Sequence, residues 1–334
     1  MTGVLPLLIL FSPDTYVWLL FIALAVITAV AWLLLRASRR RWVVAAVSLL
    51  VLALWYVVVY GCFVGVADLR VRHVTYVSAD LPPAFDGYRI VQFSDAHVGS
   101  FNGWRQQVLK AAVDSIAAQH ADMIVFSGDL QNKRPSDIEP HRQLLSTLAA
   151  PDGVFSVLGN HDYPYYVDDD AEEKQLALIR TCQIEDSLGW TLLNNEHRVL
   201  RRGPDSIIIA GMENDGEGRF PQRGRISTAL YGLSRQSFVI MLEHDPTAWR
   251  RKILRHSHCQ LTLSGHTHGG QFSAFGWSPA MLAYREYDGL YHMGPRAINV
   301  TAGLGGVIPF RFGTPPEICV VTLRSEKRIV KSDE

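Results

Sequence analysis

Residues 88–97 read Tyr88-Arg89-Ile90-Val91-Gln92-Phe93-Ser94-Asp95-Ala96-His97, a short, largely apolar strand that stops in a polar cluster. Asp95 and His97 sit two positions apart at that stop, where one chain reversal lets them grip a single ion together. The arrangement returns along the chain. Met123-Ile124-Val125-Phe126 runs into Ser127-Gly128-Asp129, and Val154-Phe155-Ser156-Val157-Leu158 runs into Gly159-Asn160-His161-Asp162. Phe238-Val239-Ile240-Met241-Leu242 runs into Glu243-His244-Asp245-Pro246. Finally Gln260-Leu261-Thr262-Leu263-Ser264 runs into Gly265-His266-Thr267-His268-Gly269-Gly270-Gln271. Ligands of open α/β sheets bind outside the carboxyl ends of strands. Chance scatter would put some of these clusters at strand beginnings or in mid-helix, so their common position points to one functional rim.

Between the first two strands, Trp104, Val108, Leu109, Ala112, Val113 and Ile116 follow the spacing of an amphipathic helix over 104–118. Residues 144–148 and 175–179 are weaker helical segments. Strands alternating with helices predict an α/β domain. An alternating stretch at 71–77, the run Ile207-Ile208-Ile209 and strands at 297–300 and 318–323 supply more sheet than one doubly wound layer needs. Two packed sheets flanked by helices are therefore expected. The domain is expected over 88–325, after a connector with a first strand at 67–87 and before a polar tail at 326–334.

The chain has 334 residues, enough for one large domain and something smaller. Its 32 Lys and Arg balance 32 Asp and Glu, so no basic surface marks a nucleic-acid binder. Residues 16–35 and 42–66 contain no charged side chain. About twenty helical residues span roughly 30 Å, the thickness of a bilayer's hydrocarbon core. Neither run has a polar face, and Trp18, Trp32, Trp42, Tyr56 and Tyr60 include aromatics near the segment ends. Two transmembrane helices in an N-terminal membrane region at 1–66 are expected. A cleaved signal peptide fits poorly, because residues 1–13 lack a basic segment. Residues 4–11 are apolar but too short to span, and suit an interface.

Between the runs, Arg36-Ala37-Ser38-Arg39-Arg40-Arg41 carries four arginines, whereas the N-terminal tail has no Lys or Arg. The positive-inside rule then puts this hairpin in the cytoplasm. The N-terminus and the large domain would lie on the outer face of the inner membrane. Cys62, Cys182, Cys259 and Cys319 are widely spaced and form no CxxC, and an odd number in the domain argues against a full disulfide framework.

Asp95, His97, Asp129, Asn160, His244, His266 and His268 form a donor set of oxygen and nitrogen without thiolate, suited to Mn, Fe or Zn. Two imidazoles one residue apart, as in His266 and His268, can reach two adjacent ions. Asp129, in the middle of the set and preceded by glycine, is the natural bridge. Asp95 and His97 suit one ion; Asn160 and His244 suit the other. Two ions about 3.5–4 Å apart clamp an in-line displacement at phosphorus. His161, beside a ligand and not needed for coordination, is placed to donate a proton to the leaving oxygen or to stabilise phosphoryl oxygens. His256, His258 and His292 lie outside the strand-end clusters and are expected to be structural. His73, His120, His141 and His197 are expected at the surface.

These blocks resemble the calcineurin-like metallophosphoesterase superfamily, whose pattern is D-x-H, G-D, G-N-H-[DE], H and G-H-x-H. Asp95-Ala96-His97, Gly128-Asp129, Gly159-Asn160-His161-Asp162, His244 and Gly265-His266-Thr267-His268 match it in order. The segments Leu81-Pro82-Pro83-Ala84-Phe85-Asp86-Gly87-Tyr88 and Thr314-Pro315-Pro316-Glu317-Ile318 look like its membrane-anchored bacterial branch. The resemblance implies a four-layer α/β sandwich, two mixed β-sheets flanked by helices. It implies that Asp95, His97, Asp129 and His268 hold one divalent metal, and Asp129, Asn160, His244 and His266 a second. His161 would be the acid or phosphate-contacting residue. One departure matters: protein phosphatases of this superfamily follow G-D with an Asp and Arg pair, whereas here Leu130-Gln131-Asn132-Lys133-Arg134 follows. The Asp that would orient the catalytic histidine is missing, which argues against protein-phosphatase activity.

The expected function is a membrane-anchored phosphoesterase acting on a phosphodiester or pyrophosphate, with a phosphorylated small molecule or lipid as substrate. Some members act on lipid-linked substrates, and a UDP-2,3-diacylglucosamine-type lipid A precursor is one alternative. A non-catalytic membrane receptor that retains the fold is another. Residues 272–291 are rich in aromatic and aliphatic side chains. They read first as a core segment, and alternatively as a lining for acyl chains or a membrane-dipping loop.

Overall fold

The computed structural model describes residues 11–326 except 37 and 39. The expected interfacial stretch at 4–11, apart from Phe11, and the polar tail after residue 326 lie outside the described residues. Helix α1 (Pro13–Leu35) is started by Ser12, whose hydroxyl accepts from the Thr15 N–H, and by proline in its first turn. Helix α2 (Arg41–Val59) runs on through a π-turn (Tyr60–Val64) and a 3-10 turn (Gly65–Ala67). Both are long and apolar enough to cross a membrane. Only 6% and 0% of their most apolar windows are buried, so neither is a core helix of the domain. The pair is pinned by Trp55 Nε1, which donates to the Thr28 hydroxyl at 3.0 Å.

Two six-stranded sheets follow. The first runs β1 (Arg70–Ser78), β12 (Glu317–Ser325), β2 (Arg89–Phe93), β3 (Met123–Phe126), β4 (Val154–Ser156) and β5 (Thr191–Leu192). The second runs β10 (Gly289–Met293), β11 (Arg296–Val300), β9 (Leu261–Ser264), β8 (Phe238–Leu242), β7 (Asp205–Gly211) and β6 (Glu196–Arg202). Both are mixed: β12 is antiparallel to β2, and β10–β11 and β6–β7 are antiparallel within otherwise parallel ladders. The central strands read as unbroken apolar runs because both of their faces are covered. In β3, Met123 and Val125 point between the sheets, while Ile124 and Phe126 point outward. The outward pair meets Leu109, Val113 and Ile116 of helix α3 (Arg105–Ala117). In β8, Phe238, Ile240 and Leu242 face the inter-sheet core, and Val239 and Met241 face Trp249 and Ile253 on the far side. Helix, sheet, sheet and helix give the four expected layers.

Several elements differ from the expectation. Helix α4 (Arg142–Leu145) is a single turn, whereas α5 (Ala171–Ser187) far exceeds the predicted 175–179. Asp170 caps α5 by accepting from the Glu173 N–H at 2.9 Å, with Glu172 and Glu173 in its first turn. Strands β5, β6 and β10 were not anticipated; they are sheet edges, β5 only two residues long and β6 broken by Glu196, Arg198, Arg201 and Arg202.

A buried polar seam joins the sheets beneath their carboxyl rims. Gln92 donates to the Ser264 carbonyl at 2.9 Å and accepts from Asn299 at 2.7 Å. Asn299 in turn accepts from Arg72, whose guanidinium is held by Glu317 at 2.7 and 2.9 Å. The two apolar helices are fastened to the same frame. Arg105 pairs with Asp14 at 2.5 Å, and the Arg311 N–H donates to the Gly61 carbonyl at 3.0 Å. A Cβ at Gly65 would overlap the Arg311 carbonyl, so only glycine permits this approach.

Candidate metal centre

Every proposed ligand lies on the common rim of the two sheets, at or just past a strand's carboxyl end. Five of the seven hold a left-handed backbone: Asp95 (φ 49°), His97 (42°), Asp129 (64°), His266 (73°) and His268 (52°). Such conformations cost non-glycine residues free energy and persist only where the surroundings over-determine them. Close backbone approach does so here. A Cβ at Gly159 would overlap the Asp129 carboxylate, and one at Gly265 would overlap the Asp95 carboxylate.

Asp162 is the strap beneath. Its Oδ2 accepts from the N–H groups of Asp129 (2.7 Å) and Gly159 (2.9 Å), and its Oδ1 from those of Leu130 (2.8 Å) and Gln131 (3.2 Å). The loops after β3 and β4 are thereby locked to one another. Burial and the nearby Asp129 charge push Asp162 up to about 7, against the pull of those N–H donors.

Asp129 divides its carboxylate. Oδ1 accepts from the His161 N–H at 2.7 Å, while Oδ2 faces His97 Nε2 at 3.6 Å and His244 Nε2 at 3.3 Å. His97 Nδ1 lies 3.2 Å from the Gln131 carbonyl, and His244 Nδ1 lies 2.8 Å from the Ser127 carbonyl. A carbonyl can only accept, so each Nδ1 carries its hydrogen and each Nε2 turns a lone pair into the centre. His97 Nε2 is buried without a hydrogen-bond partner. Around His244 Nε2 stand Asp129 Oδ2, Asn160 Oδ1 at 3.2 Å and His266 Nδ1 at 3.2 Å. Lone pairs thus face lone pairs among largely buried side chains, an arrangement that favours cations.

The donor atoms fall into overlapping triplets, each within 4.8 Å: Asp95, His97 and His268; His97, Asp129 and His161; Asp129, His244 and His266. The triplets hold six of the seven expected ligands and His161, and Asn160 joins them through His244 Nε2 at 3.2 Å. Imidazole and oxygen donors with no thiolate fit borderline divalent ions on either side of Asp129.

Electrostatics records the same demand. Burial pushes Asp95 up to about 6, offset by His244. Burial also drives His97 down to about 3, assisted by His161. For His244 burial acts downward, but the Asp129 and Asp95 carboxylates outweigh it and raise it to about 10. In the metal-free site a proton on His244 supplies the missing positive charge.

Several contributors had no signal in the sequence. Tyr166 accepts from Asn160 Nδ2 at 2.7 Å, which turns Oδ1 of Asn160 toward the centre. The Tyr284 hydroxyl lies 2.9 Å from His266 Nε2, leaving Nδ1 facing inward. The Asn132 carbonyl lies 2.6 Å from His161 Nδ1 and orients that ring, the task of the missing aspartate. Asp162 was legible as part of a motif, but not as a strap. The expectation of a surface His141 is corrected: it is buried beside α4. His197 is half-buried, its Nδ1 held 2.8 Å from the Ala229 carbonyl.

A sequence model of the calcineurin-like phosphoesterase family matches residues 88–270, which is more than half of the chain. The chain belongs to the calcineurin-like phosphoesterases. It is 34% identical over 261 residues to the Bacillus subtilis metallophosphoesterase YkuE, covering 75% of this chain and 84% of that protein. A zebrafish (Danio rerio) transmembrane protein with a metallophosphoesterase domain is 30% identical over 86% of this chain and 63% of its own length. The Chlamydia trachomatis UDP-2,3-diacylglucosamine pyrophosphatase LpxG is 27% identical, covering 74% of this chain and 88% of that enzyme. Like its family, this phosphoesterase is a metal-dependent hydrolase, and its apolar helices and relatives associate it with a membrane.

Two outcomes are expected. Asp162→Ala strands four buried N–H groups, each worth about 1–3 kcal/mol, and should lower the unfolding free energy from urea titration by at least ~3 kcal/mol together with metal content. A loss below about 1 kcal/mol would show that the strap is dispensable. Metal uptake must displace the His244 proton and, below about pH 6, the Asp95 proton as well. Mn²⁺ affinity measured by calorimetry should therefore rise from about pH 5.5 to about pH 8 with net proton release; a flat profile contradicts this.

Proposed function

We propose that this phosphoesterase is a membrane-anchored dimetal enzyme that hydrolyses a phosphodiester or pyrophosphate bond, with its domain on the outer face. The observation that carries the reading is the ring of inward lone pairs around Asp129 Oδ2. Asp95, His97, Asp129 and His268 would hold one ion, and Asp129, Asn160, His244 and His266 the other. The ions, drawn from Mn, Fe or Zn, supply Lewis acidity and charge neutralisation at phosphorus when bound.

The chain's own contribution to proton transfer is His161. Because the Asn132 carbonyl holds the hydrogen on Nδ1, the proton that moves is the one on Nε2. Burial lowers this imidazole, against the pull of Asp129, so the neutral form dominates at rest. In that form Nε2 accepts a proton, and once protonated it donates to the leaving oxygen or contacts a phosphoryl oxygen. Tyr166 lies against it, with ring centroids 4.4 Å apart, and limits its rotation.

Hydrolysis of bis(p-nitrophenyl) phosphate with added Mn²⁺ tests the assignment. Asp129→Asn should lose metal and activity together. His161→Ala should keep its metal and lose about 10²–10⁴-fold in kcat. Wild-type activity no higher than that of either variant would sink the enzymatic reading and leave a membrane receptor that retains the fold.

The likeness to LpxG supports a second reading, cleavage of a nucleotide-linked lipid A precursor. Such a UDP-linked lipid belongs to the cytoplasmic leaflet, so the readings separate by sidedness. Tyr231 is exposed, and a Tyr231→Cys variant offers a label site on the domain. Labelling by an impermeant maleimide in intact cells is the expected outcome; labelling only after permeabilisation would favour the UDP-lipid reading.

A further inference from the structure

The segment 272–282 is not the core element its composition suggested. Phe275 is fully exposed and Leu282 is 80% exposed, with Met281 at 47% and Trp277 at 46%. Phe275 and Gly276 form the tip of a tight turn closed by paired hydrogen bonds between Ala274 and Trp277, both 3.0 Å. Phe275 holds a left-handed backbone there, so an apolar ring is presented to the outside at a conformational cost.

Its position identifies what it meets. Phe272, at the root of the turn, stacks on Phe312 with ring centroids 5.6 Å apart, and the Ser273 N–H donates to the Phe312 carbonyl at 2.7 Å. Phe312 in turn packs edge-on against Tyr60 (5.7 Å) and Tyr56 (6.3 Å) of the second apolar helix. Tyr60 lies roughly 10 Å along that helix from its end at Ala67, the depth of a membrane interface. The Phe275 tip lies three positions after Phe272, a reach of at most about 10 Å. On another side of the helix Trp104, 45% exposed, stacks on Phe63 at 6.4 Å. Aromatic rings thus flank the helix where it leaves the bilayer, and exposed Arg285 follows Leu282 by three residues. Aromatic and aliphatic side chains beside a cation suit an acyl–headgroup boundary.

The same segment is fastened to the metal centre. The Ser278 hydroxyl donates to the Gly269 carbonyl at 2.7 Å, one residue past His268. Tyr284, two residues after Leu282, touches His266. We infer that the 272–282 segment enters the bilayer leaflet reached by the domain-side end of the second helix. It seats the catalytic rim at the headgroup layer, to take a phosphate ester carried on an amphiphile of that leaflet. The substrate class rests on the phosphoesterase reading above, whereas the membrane contact does not.

Full-length protein in nanodiscs of phosphatidylcholine and phosphatidylglycerol tests both parts. An environment-sensitive fluorophore on Phe275→Cys should be quenched by doxyl-labelled lipid, and one on Tyr231→Cys should not. Equal quenching at the two positions overturns the contact. In the same nanodiscs, hexadecyl p-nitrophenyl phosphate should be cleaved with a kcat/KM at least about tenfold above that of methyl p-nitrophenyl phosphate. Phe275→Ser with Leu282→Ser should collapse that ratio toward one while leaving the methyl ester's rate within about twofold. A wild-type ratio near one overturns the amphiphile assignment. Failure to cleave either ester would instead count against the phosphoesterase reading, with the quenching result still judging the membrane contact.

Discussion

One buried carboxylate organises this protein. Asp129 gives one oxygen to the backbone of the loop after β4 and leaves the other among the lone pairs of His97 and His244, drawn from opposite sheets. A charge so enclosed is tolerated only if positive charge is supplied and the backbone around it cannot relax. Both conditions shape the surroundings. The first makes a proton on His244 the substitute for metal. The second explains the left-handed ligand backbones, the glycines that let chains touch, and the Asp162 strap beneath them.

The two sheets meet this need through their rims. Apolar packing between β2–β3 and β8–β9 is non-directional and sets only a spacing. The seam of Arg72, Glu317, Asn299, Gln92 and Ser264 is directional. Its hydrogen bonds cross the inter-sheet space directly below the ligand loops and fix how one rim sits against the other. Sliding the sheets would strand several buried polar groups together.

The frame continues into the apolar helices. The Arg311 guanidinium is buried and donates to the carbonyls of His268, Ala302, Gly303 and Gly305, while its own N–H holds Gly61. One residue thereby connects the end of the second helix to the loop that presents His268. The helix is thus part of the scaffold of the candidate metal centre.

Much of this was legible in the order of residues. The strand-to-cluster pattern, the period of α3 and the two uncharged runs mark the layers, the rim and the apolar pair, because each is a local signal written in side-chain type. The seven candidate ligands and His161 stand out for the same reason: metal and proton chemistry admits few residue types. Edge strand β6 was not legible, since Glu196, Arg198, Arg201 and Arg202 erase its periodicity, nor was β10, five residues none of which is buried. Nor could residue type show that the Asn132 carbonyl would orient His161, since every residue has a carbonyl. The partners Tyr166 and Tyr284, and the outward face of residues 272–282, depend on which distant surfaces a side chain meets. Local chemistry thus named the donors and the layers. Long-range packing alone chose the groups that aim the donors, and turned an apolar segment outward beside the helix that carries it.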